Sequence, residues 1–231
     1  MITFYDIDCS DASFLLPEDE SRHAIKSLRI REGERINVIN GKGLVLHAVS
    51  EGQENNLLRY RILQTEIKER KSPLLHVAIS PLKQADRFEY FVEKATELGV
   101  NEITPLRCAR TEKLKIKEER LIRIITSAVK QSGNPHMPVF NELTDYPAFI
   151  EGVKEKKRLI AFCDEGEKNP LPSISFNQDT VVLIGPEGDF TDEEVSVARK
   201  NNFEGMTLGD LTLRTETAAL TVCAYFQMIK S

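Results

Sequence analysis

Leu183-Ile184-Gly185-Pro186-Glu187-Gly188-Asp189-Phe190 ends an apolar run at a tight polar turn. Further on, Leu208-Gly209-Asp210-Leu211-Thr212-Leu213-Arg214-Thr215-Glu216-Thr217-Ala218-Ala219-Leu220 repeats the pattern. Each stretch reads as a strand that stops at a turn and enters a helix. Two such turns at the ends of neighbouring parallel strands make a ligand site. Gly185-Pro186-Glu187-Gly188 is not a Walker A loop, because no Gly-Lys-Ser/Thr follows, and it is not GxGxxG. The Glu187 carboxylate would repel a phosphate; it suits a ligand with positive charge or free hydroxyls. The plain alternative is a turn and no more, since Gly and Pro punctuate turns everywhere.

Working outward, the pattern from Pro73 onward alternates strand and helix. Leu74–Ile79 reads as a buried strand. Phe88, Phe91, Val92, Ala95 and Leu98 recur at helical spacing before the stop at Gly99. Glu102–Leu106, Arg158–Cys163, Thr180–Ile184 and Met206–Leu208 read as strands. Glu119–Gln131, stopped by Gly133, and Thr215–Met228 read as helices. Thr191-Asp192-Glu193-Glu194 is a capping box. This alternation predicts an α/β domain with a parallel sheet over residues 71–231. Residues 1–70 predict a small β-barrel domain instead. Its expected parts are a helix from Pro17 to Leu28, a strand at 35–39, a type I′ turn at Asn40-Gly41, strands at 44–49 and 57–67, and a polar loop at Glu51–Asn56. The charged stretch Glu66–Pro73 predicts the linker.

The chain has 231 residues, 41% apolar and 29% charged, as in an ordinary globular protein. No apolar run reaches the roughly 20 residues that span a bilayer. Met1–Asp6 lacks a basic region followed by an apolar one, so no signal peptide is expected. Cys9, Cys108, Cys163 and Cys223 form no CxxC pair, which predicts free thiols and a cytoplasmic location. Four scattered histidines predict no metal centre. Net charge is −5, yet residues 107–130 hold eight Lys/Arg against three Glu, a local +5. That segment is a candidate basic face or, more plainly, a solvated helix flank.

Taken together, the GPEG turn and the Leu208–Ala218 run resemble the SPOUT methyltransferases, and within them the RsmE-like family of 16S ribosomal RNA uridine-N3 methyltransferases. Arg22-His23 with Leu28-Arg29 resembles the family's N-terminal signature. Lys94–Val100 resembles its Lys-x-x-Glu-Leu-Gly helix end, and Gln131-Ser132-Gly133 sits at its Gln-Ser-Gly. Many relatives carry Glu at Lys130, Arg at Asn134, Gly at Asp189 and Arg at Leu211. The resemblance implies a PUA-like RNA-binding domain (1–70) followed by a SPOUT α/β domain with a C-terminal trefoil knot (71–231). It implies a homodimer without metal or membrane attachment, acting on ribosomal RNA or the small subunit with S-adenosylmethionine.

The resemblance places the cofactor against Leu183, Ile184, Gly185, Pro186, Glu187 and Gly188, and against Leu208, Gly209, Leu213 and Thr215. For RNA the first candidates are Arg22, His23, Arg29, Lys83 and Arg87, then Arg110 and the basic 107–130 segment. Uracil N3 must lose a proton before or during methyl attack. Arg214 is the expected stabiliser of the resulting charge, and Glu216 orients it or acts as base. Two other readings stay open. One is a SPOUT enzyme with a different target, a ribose 2′-hydroxyl or a transfer RNA base; the other is a non-catalytic RNA-binding assembly factor.

Overall fold

The computed structural model describes residues 1–112, 115–155, 157–162 and 169–230. Lys113 of the basic segment and Cys163, the expected end of a strand, lie outside these. The chain divides into two compact units: Met1–Arg70 with Thr126–Met137, and Lys71–Ile125 with Pro138–Ser231.

The first unit is built on a four-stranded sheet in the order β1-β2-β3-β4. The strands are β1 (Ile2–Tyr5), β2 (Arg35–Ile39), β3 (Leu44–Glu54) and β4 (Leu57–Ile67). β1 runs parallel to β2, and the other pairs are antiparallel. Alternation along β2 turns Ile36 and Val38 inward, against Phe4, Leu16, Leu46, Leu58 and Tyr60. The expected helix over 17–28 is two pieces: α1 (Glu18–Arg22) and a π-helical turn, His23–Leu28, closed by Arg29 at φ 56°.

The tight two-residue turn is displaced from its expected place. Four residues, 40–43, link β2 to β3, and the Asn40 carboxamide oxygen accepts from the Lys42 and Leu44 amides at 2.8 and 3.1 Å. β3 runs on through the expected polar loop to Glu54. The turn is Asn55-Asn56, with φ 50° and 67°, the left-handed geometry that Asn tolerates. Residues 126–137 join this unit through a Lys42–His136 bridge, a Gly43 amide that donates to the Pro135 carbonyl, and the Lys130–Glu20 ion pair at 2.6 Å.

The second unit is an α/β sheet, parallel throughout, in the order β10-β12-β9-β11-β5-β6-β7, with β8 beside β6. In chain order its elements begin with β5 (Leu75–Ile79), α2 (Ala85–Glu97), β6 (Glu102–Arg107) and α3 (Glu118–Ser132), whose last turns belong to the first unit. Then come β7 (Val139–Phe140), β8 (Thr144–Asp145), α4 (Tyr146–Gly152), β9 (Lys157–Ala161), β10 (Asn169–Pro170) and β11 (Thr180–Ile184). The last elements are α5 (Asp192–Lys200), β12 (Glu204–Thr207) and α6 (Thr215–Lys230). The short elements α4, β7, β8 and β10 had no counterpart in the sequence pattern.

Every residue of β5 and β11 is buried, because helices cover both faces of the sheet. On one side α6 packs on β5, β11 and α2. On the other, Tyr146, Phe149, Phe190 and Ala198 close over Ile160, Val181 and Leu183.

The capping box forms as expected: Thr191 Oγ1 accepts from the Glu194 amide, and the Glu194 carboxylate accepts from the Thr191 amide. Its other oxygen accepts from the Ala109 amide at 2.8 Å, so one buried carboxylate joins α5 to the segment after β6. Truncating Glu194→Ala strips partners from three donors. It should lower stability by about 2–3 kcal/mol, measured as an earlier urea midpoint; an unchanged midpoint would mean that water replaces the carboxylate.

Candidate functional site

The strand register brings three strand ends level, since Ala161 pairs with both Ile184 and Met206. A cavity of about 330 Å³ opens there, at the carboxyl ends of β9, β11 and β12. Its walls are Ala161 and Phe162, the turn Ile184–Glu187 with Asp189, the loop from Met206 to Thr215, and Ala218. Such a crevice is where open parallel sheets bind ligands.

Close approach fixes the first loop. A Cβ on Gly185 would sit 3.1 Å from the Phe190 ring, so only glycine lets the chain turn there unstrained. The Asp189 amide donates to the Pro186 carbonyl at 2.9 Å, and Asp189 takes φ 61°. Asp is among the few residues besides glycine that adopt this left-handed geometry. Arg110 donates to the Gly188 carbonyl at 2.5 Å and to the Phe190 carbonyl at 3.4 Å. The Glu187 carboxylate accepts from the Lys83 amide at 3.0 Å. The two loops are joined by the buried Thr215 hydroxyl, which donates to the Gly185 carbonyl at 3.0 Å.

Of the residues expected to meet a ligand, Ile184, Gly185, Pro186, Glu187, Leu208, Gly209, Leu213 and Thr215 line the cavity. Leu183 is buried within β11 and Gly188 faces Arg110; neither lines it. Arg214 does line it. Its carbonyl accepts from the Ala218 amide and so opens α6, while its exposed guanidinium makes no hydrogen bond or ion pair with any described residue. The free amides at the start of a 16-residue helix add to the positive potential there. Glu187, Asp189 and Asp210 give the rest of the lining three carboxylates.

Glu216 lies outside this cavity. It is buried on the groove between α2 and α6, with one oxygen 3.9 Å from Arg87 and the other without a partner among the described residues.

Half of the eight cations of the basic segment 107–130 stand in ion pairs among the described residues. Arg107 pairs with Asp145, Arg120 with Glu89, Arg123 with Glu119 and Lys130 with Glu20, while Arg110 holds the GPEG loop. Lys83 pairs with Glu112. In the first unit Arg22 pairs with Glu18 and Asp19. His23 and Arg29 are exposed and, like Lys26, Arg31 and Arg35, make no ion pair with a described residue. Net local charge pointed to 107–130 because it counts residues and not their partners.

A parallel α/β sheet with a cavity at its strand ends, lined by one unpaired arginine and three carboxylates, is the architecture of an enzyme that handles a small cationic or hydroxyl-rich ligand. The chain belongs to the RNA methyltransferase domain family, whose model matches residues 69–227. A second model, the RNA methyltransferase PUA domain, matches residues 16–49.

The structure of a probable rRNA-methyltransferase from Porphyromonas gingivalis matches with TM-score 0.90 and 34% identity, over 99% of this chain and 98% of that one. Ribosomal RNA small subunit methyltransferase E from Neisseria gonorrhoeae, bound to S-adenosyl methionine, matches with TM-score 0.84 and 30% identity, over 99% and 98%. The protein of that name from Rickettsia conorii is 29% identical over 224 residues, 94% of this chain and 90% of its own.

Arg110→Ala should loosen the GPEG loop without unfolding the sheet. Loss of a charge-assisted bond corresponds to roughly a 10- to 100-fold rise in amide hydrogen exchange at residues 188–190. Unchanged exchange would remove Arg110 as the clamp.

Proposed function

We propose that this protein transfers a methyl group from S-adenosylmethionine to N3 of a uridine in 16S ribosomal RNA within the small subunit. The observation that carries the reading is the free guanidinium of Arg214 at the lip of the strand-end cavity. Family membership supplies the reaction class. The names of the relatives supply ribosomal RNA, and the Neisseria neighbour supplies the cofactor.

The cavity residues fit that cofactor. Ile184, Met206, Leu208 and Leu213 offer apolar walls to an adenine, with backbone groups near Leu208 and Leu213 to read its edge. Glu187, Asp189 and Asp210 favour a cation and ribose hydroxyls over a phosphate. Bound there, the cofactor presents an electrophilic methyl group on a sulfonium.

The rest of the chemistry falls to the chain. N3 gives its proton to solvent water, and the charge left behind spreads onto the neighbouring carbonyl oxygens. Arg214, permanently charged and forked, donates to them and lowers the barrier. Glu216, outside the cavity and 3.9 Å from Arg87, positions that arginine and is not the base. In the first unit the exposed His23, Lys26, Arg29, Arg31 and Arg35, with Arg22, track the RNA backbone; in the second unit Lys83 and Arg87 are the candidates for phosphate contact.

The architecture in this reading is a PUA-like barrel over residues 1–70 and a knotted SPOUT domain over 71–231. Two observations support the knot: β12 pairs with β9 and not with β11, and α6 then returns to β5. A homodimer fits the α2–α6 groove, where Glu216 has an unmet acceptor. Cytoplasmic residence fits an enzyme of ribosomal RNA; among the described residues no helix is long and apolar enough to cross a membrane.

Arg214→Ala should leave cofactor affinity by calorimetry within about 2-fold. It should reduce methyl transfer to small subunits from a strain lacking the enzyme by roughly 10²–10³-fold, the loss typical of removing one such donor. Retained turnover, or label on any nucleoside position other than uridine N3, would overturn the assignment.

A further inference from the structure

A second polar centre lies at the opposite end of the sheet, at the amino ends of β5 and β6. His76 is the second residue of β5, and the strand register sets Glu102, the first of β6, beside it. Glu155 reaches the same point from the segment before β9. One donor atom from each of the three residues lies within 4.8 Å of the others. A cavity of about 830 Å³ runs past them, and its wall includes a third carboxylate, Asp179. The methyl-transfer reading uses none of these groups.

The hydrogen bonds settle how the imidazole is presented. Its Nδ1 lies 2.5 Å from the Glu155 carboxylate, so Nδ1 carries the proton and donates it. Nε2 is then the lone-pair nitrogen. It accepts from the Thr104 hydroxyl at 2.8 Å, a bond that a metal ion would replace, and lies 3.8 Å from a Glu102 oxygen. The Asn141 amide donates to both Glu102 and Thr104 at 2.7 Å, which holds that carboxylate in place. A carboxylate that orients one histidine nitrogen and leaves the lone pair of the other beside a second carboxylate is how proteins prepare imidazole for a metal. Two donors bonded to a zinc ion at about 2.0–2.1 Å in tetrahedral geometry stand roughly 3.4 Å apart, close to the spacing found here. His76 is 7% exposed, so a bound ion would be sheltered on one side and open to the cavity on the other.

We propose that His76 Nε2 and Glu102 bind a divalent transition-metal ion, with Thr104 and water completing the shell and Glu155 positioning the imidazole. The scattered histidines of the sequence gave no sign of this site. Its partners lie 26 and 79 residues from His76 and meet only through the sheet and the segment before β9.

The test is zinc titration by calorimetry on tag-free, full-length protein stripped with a chelator, with zinc content checked by mass spectrometry after gel filtration. Wild type should take up one zinc per chain with micromolar affinity. Glu102→Gln keeps an acceptor for Asn141 and preserves the fold; it should bind at least about 10-fold more weakly. Glu155→Gln, which alters only the orienting group, should weaken binding roughly 10- to 100-fold. His76→Gln should abolish binding, with its circular dichroism spectrum confirming that it folds. Arg214→Ala should bind zinc as wild type does, which keeps this result separate from the methyl-transfer test. No uptake at about 100 µM zinc, or equal affinity in wild type and Glu102→Gln, would overturn the proposal.

Discussion

One hydrogen bond holds the strand-end cavity together: the buried Thr215 hydroxyl on the Gly185 carbonyl. It links the turn after β11 to the first residue of α6, thirty positions later in the chain. Both groups are out of water, so neither has an alternative partner in the folded protein, and a buried group left unpaired costs about 1–3 kcal/mol. Beside it the Phe190 ring closes against Gly185, where a Cβ would stand 3.1 Å from the ring. The glycine, the aromatic ring and the threonine therefore act as one constraint. Arg214, next to Thr215, inherits its position from them.

Charge in this protein follows pairing more than composition. The richest run of lysine and arginine is spent on internal contacts. Arg107, Arg120, Arg123 and Lys130 each face a carboxylate, and Arg110 faces two carbonyls. The exposed ones among these pairs add little stability, about 0–1 kcal/mol, but they offset charge that a phosphate could otherwise use. In the first unit, on and after the π-helical turn, Lys26, Arg29, Arg31 and Arg35 stay exposed and make no ion pair with a described residue. The Lys130–Glu20 pair sets a lysine against an acid that would repel a carboxylate in its place.

The second unit was legible where a local rule governs. Fully buried strands read as short apolar runs, and Thr180–Ile184 matched residue for residue. The Phe88, Phe91, Val92 and Ala95 stripe gave α2, and Gly99 stopped it at φ 78°. Thr191 and Glu194 announced their helix start. Elements held by tertiary contact were not legible: β7, β8 and β10 have two residues each, too few for a period. In the first unit Asn40-Gly41 drew attention from Asn55-Asn56, because the longer reach of β3 is set by its pairing with β4 and not by its own composition. The GPEG turn could be read as a ligand loop, but its clamp could not, since Arg110 stands 78 residues from Gly188.

The first unit is not continuous in sequence. Residues 126–137 complete it, and the partner of Glu20 is Lys130, 110 positions downstream. During synthesis the amino-terminal sheet can pair its strands as soon as β4 leaves the exit tunnel. Glu20, however, waits without its counter-charge until translation has passed the middle of the chain. Vectorial folding of this protein thus cannot finish one module before starting the next: the earliest part of the polypeptide matures only after β5, α2 and β6 have also emerged.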